Sequence, residues 1–314
     1  MGKYLAKRLG QTLVIMLIVS LLSFLLVAIM PKDPVYALLG SDITEEEYWA
    51  KYYELELDQP LPLRYLKWLG GVVTGDLGTS YKYYMPVVQV MGERLAITIY
   101  YSVIATLISF PLGILLGIIT AVKRGSWADS IITLLANLTS GVPQFVIALV
   151  LLFIFSIRLN VLPANGFCWP WEDFGRHIQL SIMPLICLSL SGMAGVCRQT
   201  RSSMLEAIRQ DYVRTARSKG LKEGIIIYRH VMKNGLIPII TMIGNRLAMM
   251  IGGAMFVENV FGIPGMGSLM VNSINSMDIP IIQANCLLMA LVISVAYIVT
   301  DVLYAAVDPR ISMG

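Results

Sequence analysis

Six stretches of the chain, at about residues 9–30, 95–122, 130–157, 178–196, 236–257 and 283–306, each carry at most one charged side chain. A helix needs about 20 apolar residues to cross about 30 Å of hydrocarbon, whereas a strand crosses in about 10. Inside a bilayer every backbone N–H and C=O must be satisfied within the protein, so runs of this length predict helices. The fold class expected is an all-α polytopic membrane protein with six transmembrane helices. Prolines at 111, 143, 184 and 238 interrupt several runs, which spanning helices tolerate because neighbours satisfy the freed carbonyl. Composition agrees: 56% of residues are hydrophobic and only 14% charged, against about 25% in soluble domains. An ordinary soluble enzyme and a disordered chain are both excluded.

Basic residues orient the spans. Lys3, Lys7 and Arg8 precede the first run, which ends at Met30-Pro31-Lys32 without a small-residue cleavage pattern. It reads as a retained span with its basic end in the cytoplasm. Segments 1–8, 123–129, 197–235 and 307–314 then face the cytoplasm and hold 15 of the 24 Lys and Arg residues. Both termini are expected to be cytoplasmic. Residues 1–30 form the N-terminus and first span, 31–93 an extracytoplasmic domain, 94–306 the transmembrane core, and 307–314 the C-terminus. Residues 31–95 hold ten acidic and six basic residues. Within them Thr44-Glu45-Glu46-Glu47 fits a capping box, predicting a short helix from about Glu45 to Leu57. A small folded ectodomain is expected between spans one and two.

Catalytic machinery is missing from the sequence. The only Gly-Lys pair is Gly2-Lys3, so no phosphate-cradling G-x-x-x-x-G-K-[ST] loop exists. His177 and His230 fall on opposite sides of the membrane by this topology and cannot share a metal. No G-x-S-x-G elbow occurs. Cys168, Cys187, Cys197 and Cys286 are widely spaced, which argues against a disulfide or metal framework. The chain is expected to be no enzyme and to hold no cofactor or metal of its own.

The informative segment is the cytoplasmic loop 198–235. Asp211 can cap a short helix, Thr215 and Ala216 put small residues on one face, and Gly220 ends it in a left-handed turn. Such a helix suits docking into a partner's groove; a basic loop resting on anionic lipid is the alternative. The run Asp211-Tyr212-Val213-Arg214-Thr215-Ala216-Arg217-Ser218-Lys219-Gly220, followed by Arg229-His230-Val231-Met232-Lys233-Asn234-Gly235-Leu236-Ile237-Pro238, resembles the signature loop of binding-protein-dependent ABC importer permeases. It has the form used by the oligopeptide/dipeptide/nickel family, B-type permease. The resemblance extends to Gly75-Asp76-Leu77-Gly78-Thr79-Ser80, to Phe261-Gly262-Ile263-Pro264-Gly265-Met266-Gly267 and to Val307-Asp308-Pro309-Arg310. Two positions depart from the pattern. Arg214-Thr215-Ala216 stands where the general signature has Glu-Ala-Ala, and Ile263 replaces the family's usual Trp, an interfacial anchor by type.

The resemblance implies the type I ABC importer permease fold and half of a heterodimeric pore in a bacterial or archaeal plasma membrane. It implies as partners a homologous second permease, two cytosolic ATPase subunits that use ATP and Mg, and an extracytoplasmic binding protein; lipid surrounds the chain and no nucleic acid is involved. Peptide is the expected cargo, with a nickel or metal-chelate importer as the alternative and a secondary transporter as a distant one. The coupling residues carried over are Asp211, Tyr212, Arg214, Thr215, Ala216, Arg217, Lys219 and Gly220.

Pore or gate candidates are Arg246, Glu258, Pro264 and Gly265. Arg246 sits roughly 15 Å into the fifth run at 1.5 Å per residue, where a cation costs at least about 2.5 kcal/mol unless it meets water or a partner. It either lines the pore, or makes a structural contact to a carbonyl or to Asp301; the second is favoured, since a pore for varied peptides gains little from one strong site. Glu258 follows the fifth run and is expected either to shape the outer gate or to be solvated. Gly113 and Gly117 form G-x-x-x-G, which predicts close helix packing. Trp49, Tyr52 and Tyr53 read as the apolar face of the ectodomain helix, and Trp169 and Trp171 as an interfacial belt.

Overall fold

In the computed structural model the described residues are 2–30 and 33–307; Asp308-Pro309-Arg310 and most of the C-terminal segment lie outside them. The described residues are almost entirely helical. The order is α1 (Gly2–Ala28), α2 (Pro34–Leu39), α3 (Glu45–Glu54), α4 (Leu61–Thr74), α5 (Val87–Val122), α6 (Trp127–Gly141), α7 (Gln144–Leu152), α8 (Phe174–Ile208), α9 (Asp211–Ser218), α10 (Glu223–Ile225), α11 (Met232–Gly235), α12 (Ile237–Val260), α13 (Met266–Asn275) and α14 (Ile279–Val307). Single π-helical turns extend α7 over Phe153–Arg158 and join α10 to α11 over Ile226–Val231.

Four helical segments are long and apolar enough to cross a bilayer: Ala6–Ala28, Val87–Val122, Phe174–Ile208 and Ile279–Asp301. The third apolar run is not one straight span. It breaks at Gly141-Val142-Pro143 into α6 and α7, which meet at 102° and make a fifth crossing if counted together. Proline explains the break: it has no N–H to donate, and it drives the preceding Val142 out of the helical region, to ψ 127°. The fifth apolar run forms α12, whose shorter apolar segment is Ala248–Val260. Pro111 and Pro184, by contrast, lie inside unbroken helices.

The described residues group into two compact units, one of those up to Thr98 with Pro264–Val295, the other of Ile99–Ile263 with residues 296–307. In the first unit the expected capping box is present. Thr44 Oγ1 accepts from the Glu47 N–H, and the Glu47 carboxylate accepts from the Thr44 N–H at 2.9 Å. Those bonds from Thr44 hold the Glu47 carboxyl below its ordinary pKa. The helix stops at Glu54, earlier than expected, and α4 follows unannounced by the sequence reading. The Gly75–Ser80 motif closes a small loop in which Thr79 bridges Pro86. The fully buried Asp278 carboxylate pins it, accepting from Ser80 Oγ at 2.5 Å and from the Tyr81 and Lys82 N–H groups at 3.1 and 3.2 Å.

In the second unit α5 and α8 approach through the G-x-x-x-G pair. A Cβ on Gly113 would lie 2.7 Å from Val196 Cβ, and one on Gly117 2.5 Å from Thr200 Cβ. Only glycine lets the two backbones come this close. A bidentate ion pair then ties α8 to α6: Arg201 Nε and Nη2 donate to the Asp129 carboxylate at 3.0 and 2.9 Å.

Candidate functional site

The loop that carries the signature is shorter than its sequence limits, because α8 continues as helix to Ile208. Arg198 and Arg201 therefore sit on that helix. Gln210, extended at ψ 151°, is the N-cap of α9, and its side chain makes no capping bond. Asp211 is thus the first helical residue and not the cap, a correction to the sequence reading. An acid in the first turn still favours the positive end of the helix dipole.

At the other end the expected left-handed stop is present. Gly220 has φ +74°, its N–H donates to Arg217 O at 2.9 Å, and the Leu221 N–H donates to Ala216 O at 3.4 Å. This pair of bonds is a Schellman motif, which satisfies carbonyls the helix end leaves open. A residue with a Cβ resists the left-handed conformation by about 1 kcal/mol or more. Arg217 then reaches forward to Glu223 with Nε and Nη2 at 3.2 and 2.6 Å. Hydrogen bonding from Arg217 holds the Glu223 carboxyl below its usual range. Both side chains are about half exposed, so the pair orients the loop and adds little stability.

Ala216 faces the opposite way to the sequence expectation. With Val213 it is buried, and the two pack on Met204, Ala207 and Ala121 from the long helices and on Ile226 and Val231 from the π-turn. The spacing of Val213 and Ala216, three apart, is the signal that the sequence offered and that the grouping of Thr215 with Ala216 overlooked. Asp211, Tyr212, Arg214, Thr215, Arg217, Lys219 and Gly220 are exposed. Thr215 Oγ1 bonds back to Asp211 O at 3.0 Å. The result is a rigid solvent-facing helix with hydroxyl, aromatic and basic groups outward, seated on an apolar base.

The pore candidates fall on separate elements. Arg246, on α12, is half-buried and lays its guanidinium against the backbone of Gly195 on α8. No ion pair between Arg246 and Asp301 occurs among the described residues. Glu258 lies twelve residues further along α12, about 18 Å away, and is buried, not solvated. Gly265 is the extended N-cap of α13, with Pro264 before it. Ile263 is fully buried, so this position anchors no aromatic at the interface. Trp169 stacks on Trp171 at 4.5 Å, and His177 Nδ1 donates to Cys168 O at 2.6 Å beside them. That carbonyl can only accept, and the other ring nitrogen, Nε2, lies 3.0 Å from the Tyr100 hydroxyl.

Together these elements define a polytopic helical membrane protein with a rigid, exposed loop between two of its long helices. Residues 113–313 match the family described as binding-protein-dependent transport system inner membrane component, and residues 1–102 match its N-terminal companion family. The chain belongs to this family of transport permeases. A Brucella ovis protein named as a peptide permease is 37% identical over 321 residues, covering 100% of both chains. The oligopeptide transport system permease protein AppB of Bacillus subtilis is 34% identical over 317 residues, covering 99% of each. Among solved structures, the methionine ABC transporter MetNI in inward-facing conformations matches with TM-score 0.55 at 12% identity, over 70% of this chain and 97% of that one. An amino acid ABC transporter matches with TM-score 0.51 at 15% identity, over 71% and 95%. Those likenesses establish the type I ABC importer permease fold.

Proposed function

We propose that this chain is one of two permease subunits of an ATP-driven peptide importer, with α9 as the element that its ATPase partner grips. The observation that carries this reading is the end-to-end match to relatives named as peptide permeases. A loop built as a rigid body supports it. In this reading α12 completes the count of six spans, residues 31–93 lie outside the cell, and both termini and the loop 198–235 lie within. The transmembrane core 94–306 forms half the pore with a homologous permease, in a bacterial or archaeal inner membrane. ATP and Mg act in two partner subunits, since this sequence holds no loop to cradle phosphate.

Closure of the ATPase pair would push on Asp211–Gly220. The Schellman stop, the apolar base and the Arg217–Glu223 bridge would pass that displacement to α8 as a rigid-body shift. Charge on the outer face would orient docking more than supply affinity. A secondary transporter would instead need internal repeats and intramembrane acids, and no internal repeat is visible in the sequence.

Reconstitution tests the reading. With the second permease, both ATPases and the binding protein in liposomes, labelled di- and oligopeptides should accumulate only with ATP. The purified chain alone should hydrolyse none. Uptake of nickel in place of peptide would move the cargo to a metal chelate, and peptide uptake by this chain without ATPase subunits would overturn the assignment.

A further inference from the structure

Helix α4 is apolar on the face that packs against the protein and also on the face that does not. Inward, Tyr65 and Trp68 pack on Phe24 of α1 at 5.4 and 6.0 Å between ring centroids. The Tyr65 hydroxyl bonds to Ser20 Oγ at 2.8 Å. Outward, Leu63, Leu66, Gly70 and Val73 recur at the spacing of one helix face, with Leu66 63% and Val73 81% exposed. A helix on the surface of a water-soluble domain carries polar residues there. The neighbouring α3 carries Glu45, Glu46 and Glu47 in its exposed first turn, beside exposed Trp49 and Tyr53, whereas the outward stripe of α4 holds no acid.

The depth of the contact says what covers the stripe. Phe24 and Ser20 lie about 6 and 12 Å inside the Ala28 end of α1 at 1.5 Å per residue. At that level α1 itself exposes Leu21, Leu22, Leu25 and Leu26, within the run long and apolar enough to cross a bilayer. Interfacial helices bury their apolar face about 5–10 Å into the boundary of headgroups and acyl chains, and the Phe24 contact, about 6 Å in, falls within that range. Lys67, at the edge of the stripe, pairs with Glu56 of the preceding turn at 2.8 Å.

We propose that α4 is an interfacial helix sunk in the outer leaflet, its Leu63–Leu66–Val73 stripe covered by phospholipid acyl chains. The segment after the first span would then be fastened to the membrane surface and not free in water. The inference rests on the extracytoplasmic placement of residues 31–93 made under the proposed function.

The test uses the assembled transporter in liposomes, with the four native cysteines replaced and a fluorescent label on Leu66→Cys, Val73→Cys or Glu46→Cys. Labels at 66 and 73 should emit at shorter wavelength. A nitroxide carried high on the lipid acyl chain should quench them several-fold more than external iodide does; the label at 46 should show the reverse. If iodide reaches position 66 or 73 as readily as position 46, the stripe is in water and the inference fails. If neither quencher reaches 66 or 73, protein covers the stripe and the inference fails equally, with the topology intact. A label at 46 reached only from the lumenal side of the correctly oriented transporter would overturn the topology and this inference together.

Discussion

Gly117→Leu is expected to destabilise the folded chain strongly and to lower its unfolding temperature by many degrees. The new Cβ would sit 2.5 Å from Thr200 Cβ and 2.7 Å from Cys197 O, and the second of these is backbone that cannot rotate away. Helices α5 and α8 would have to separate along the seam that also holds Gly113 and buried Val196. Overpacking a tight site costs typically about 1–3 kcal/mol, and a leucine adds three further carbons to a contact already below van der Waals distance. That is a large share of the stability of a domain. Thermal unfolding of the detergent-purified chain by fluorescence-detected gel filtration reads the effect. Gly70→Ala, where a Cβ meets nothing within 4 Å, should be near neutral in the same assay.

The second large effect is expected from Ala216→Trp. Ala216 is 7% exposed beside Val213, Met204 and Ile226, and an indole has no room there. The substitution should lift α9 off its base, lower the unfolding temperature by several degrees and abolish uptake. It therefore reports on the seating of the helix and not on the partner it meets. Native-like stability of this variant would contradict the buried position of Ala216.

The contrast between Ala216 and Thr215 shows where the sequence was legible and where it was not. Long uncharged runs announce helices because the bilayer leaves the backbone no alternative, and a capping box or a Gly after a basic turn is fixed by local hydrogen bonding alone. Thr44, Glu47 and Gly220 accordingly behave as read, and so do Gly113 and Gly117. The inward turn of Ala216 was legible in its spacing from Val213 but was hidden by pairing it with Thr215, and the packing of Ile226 and Val231 on the same base makes it plain. The 102° break at Pro143 was not legible, since Pro111 and Pro184 look alike in sequence and do not break their helices. Helix α4 went unread because Pro62 and the Gly70-Gly71 pair mask its period and because neither of its faces is strongly polar. Asp278 escaped notice because its partners, Ser80 to Lys82, are nearly 200 residues away in sequence.

The central claim is that the exposed face of α9 is the docking surface for an ATPase, and Thr215→Trp tests it most directly. Thr215 is exposed, and its one bond is to Asp211 O within the same turn, so an indole there adds bulk outside the fold. The measurement is copurification of the ATPase subunits with the tagged permease pair, alongside its unfolding temperature. The account predicts an unchanged unfolding temperature with at least a tenfold loss of bound ATPase. Full retention of the ATPase by the folded Thr215→Trp chain would contradict it and return the loop to a basic surface resting on lipid.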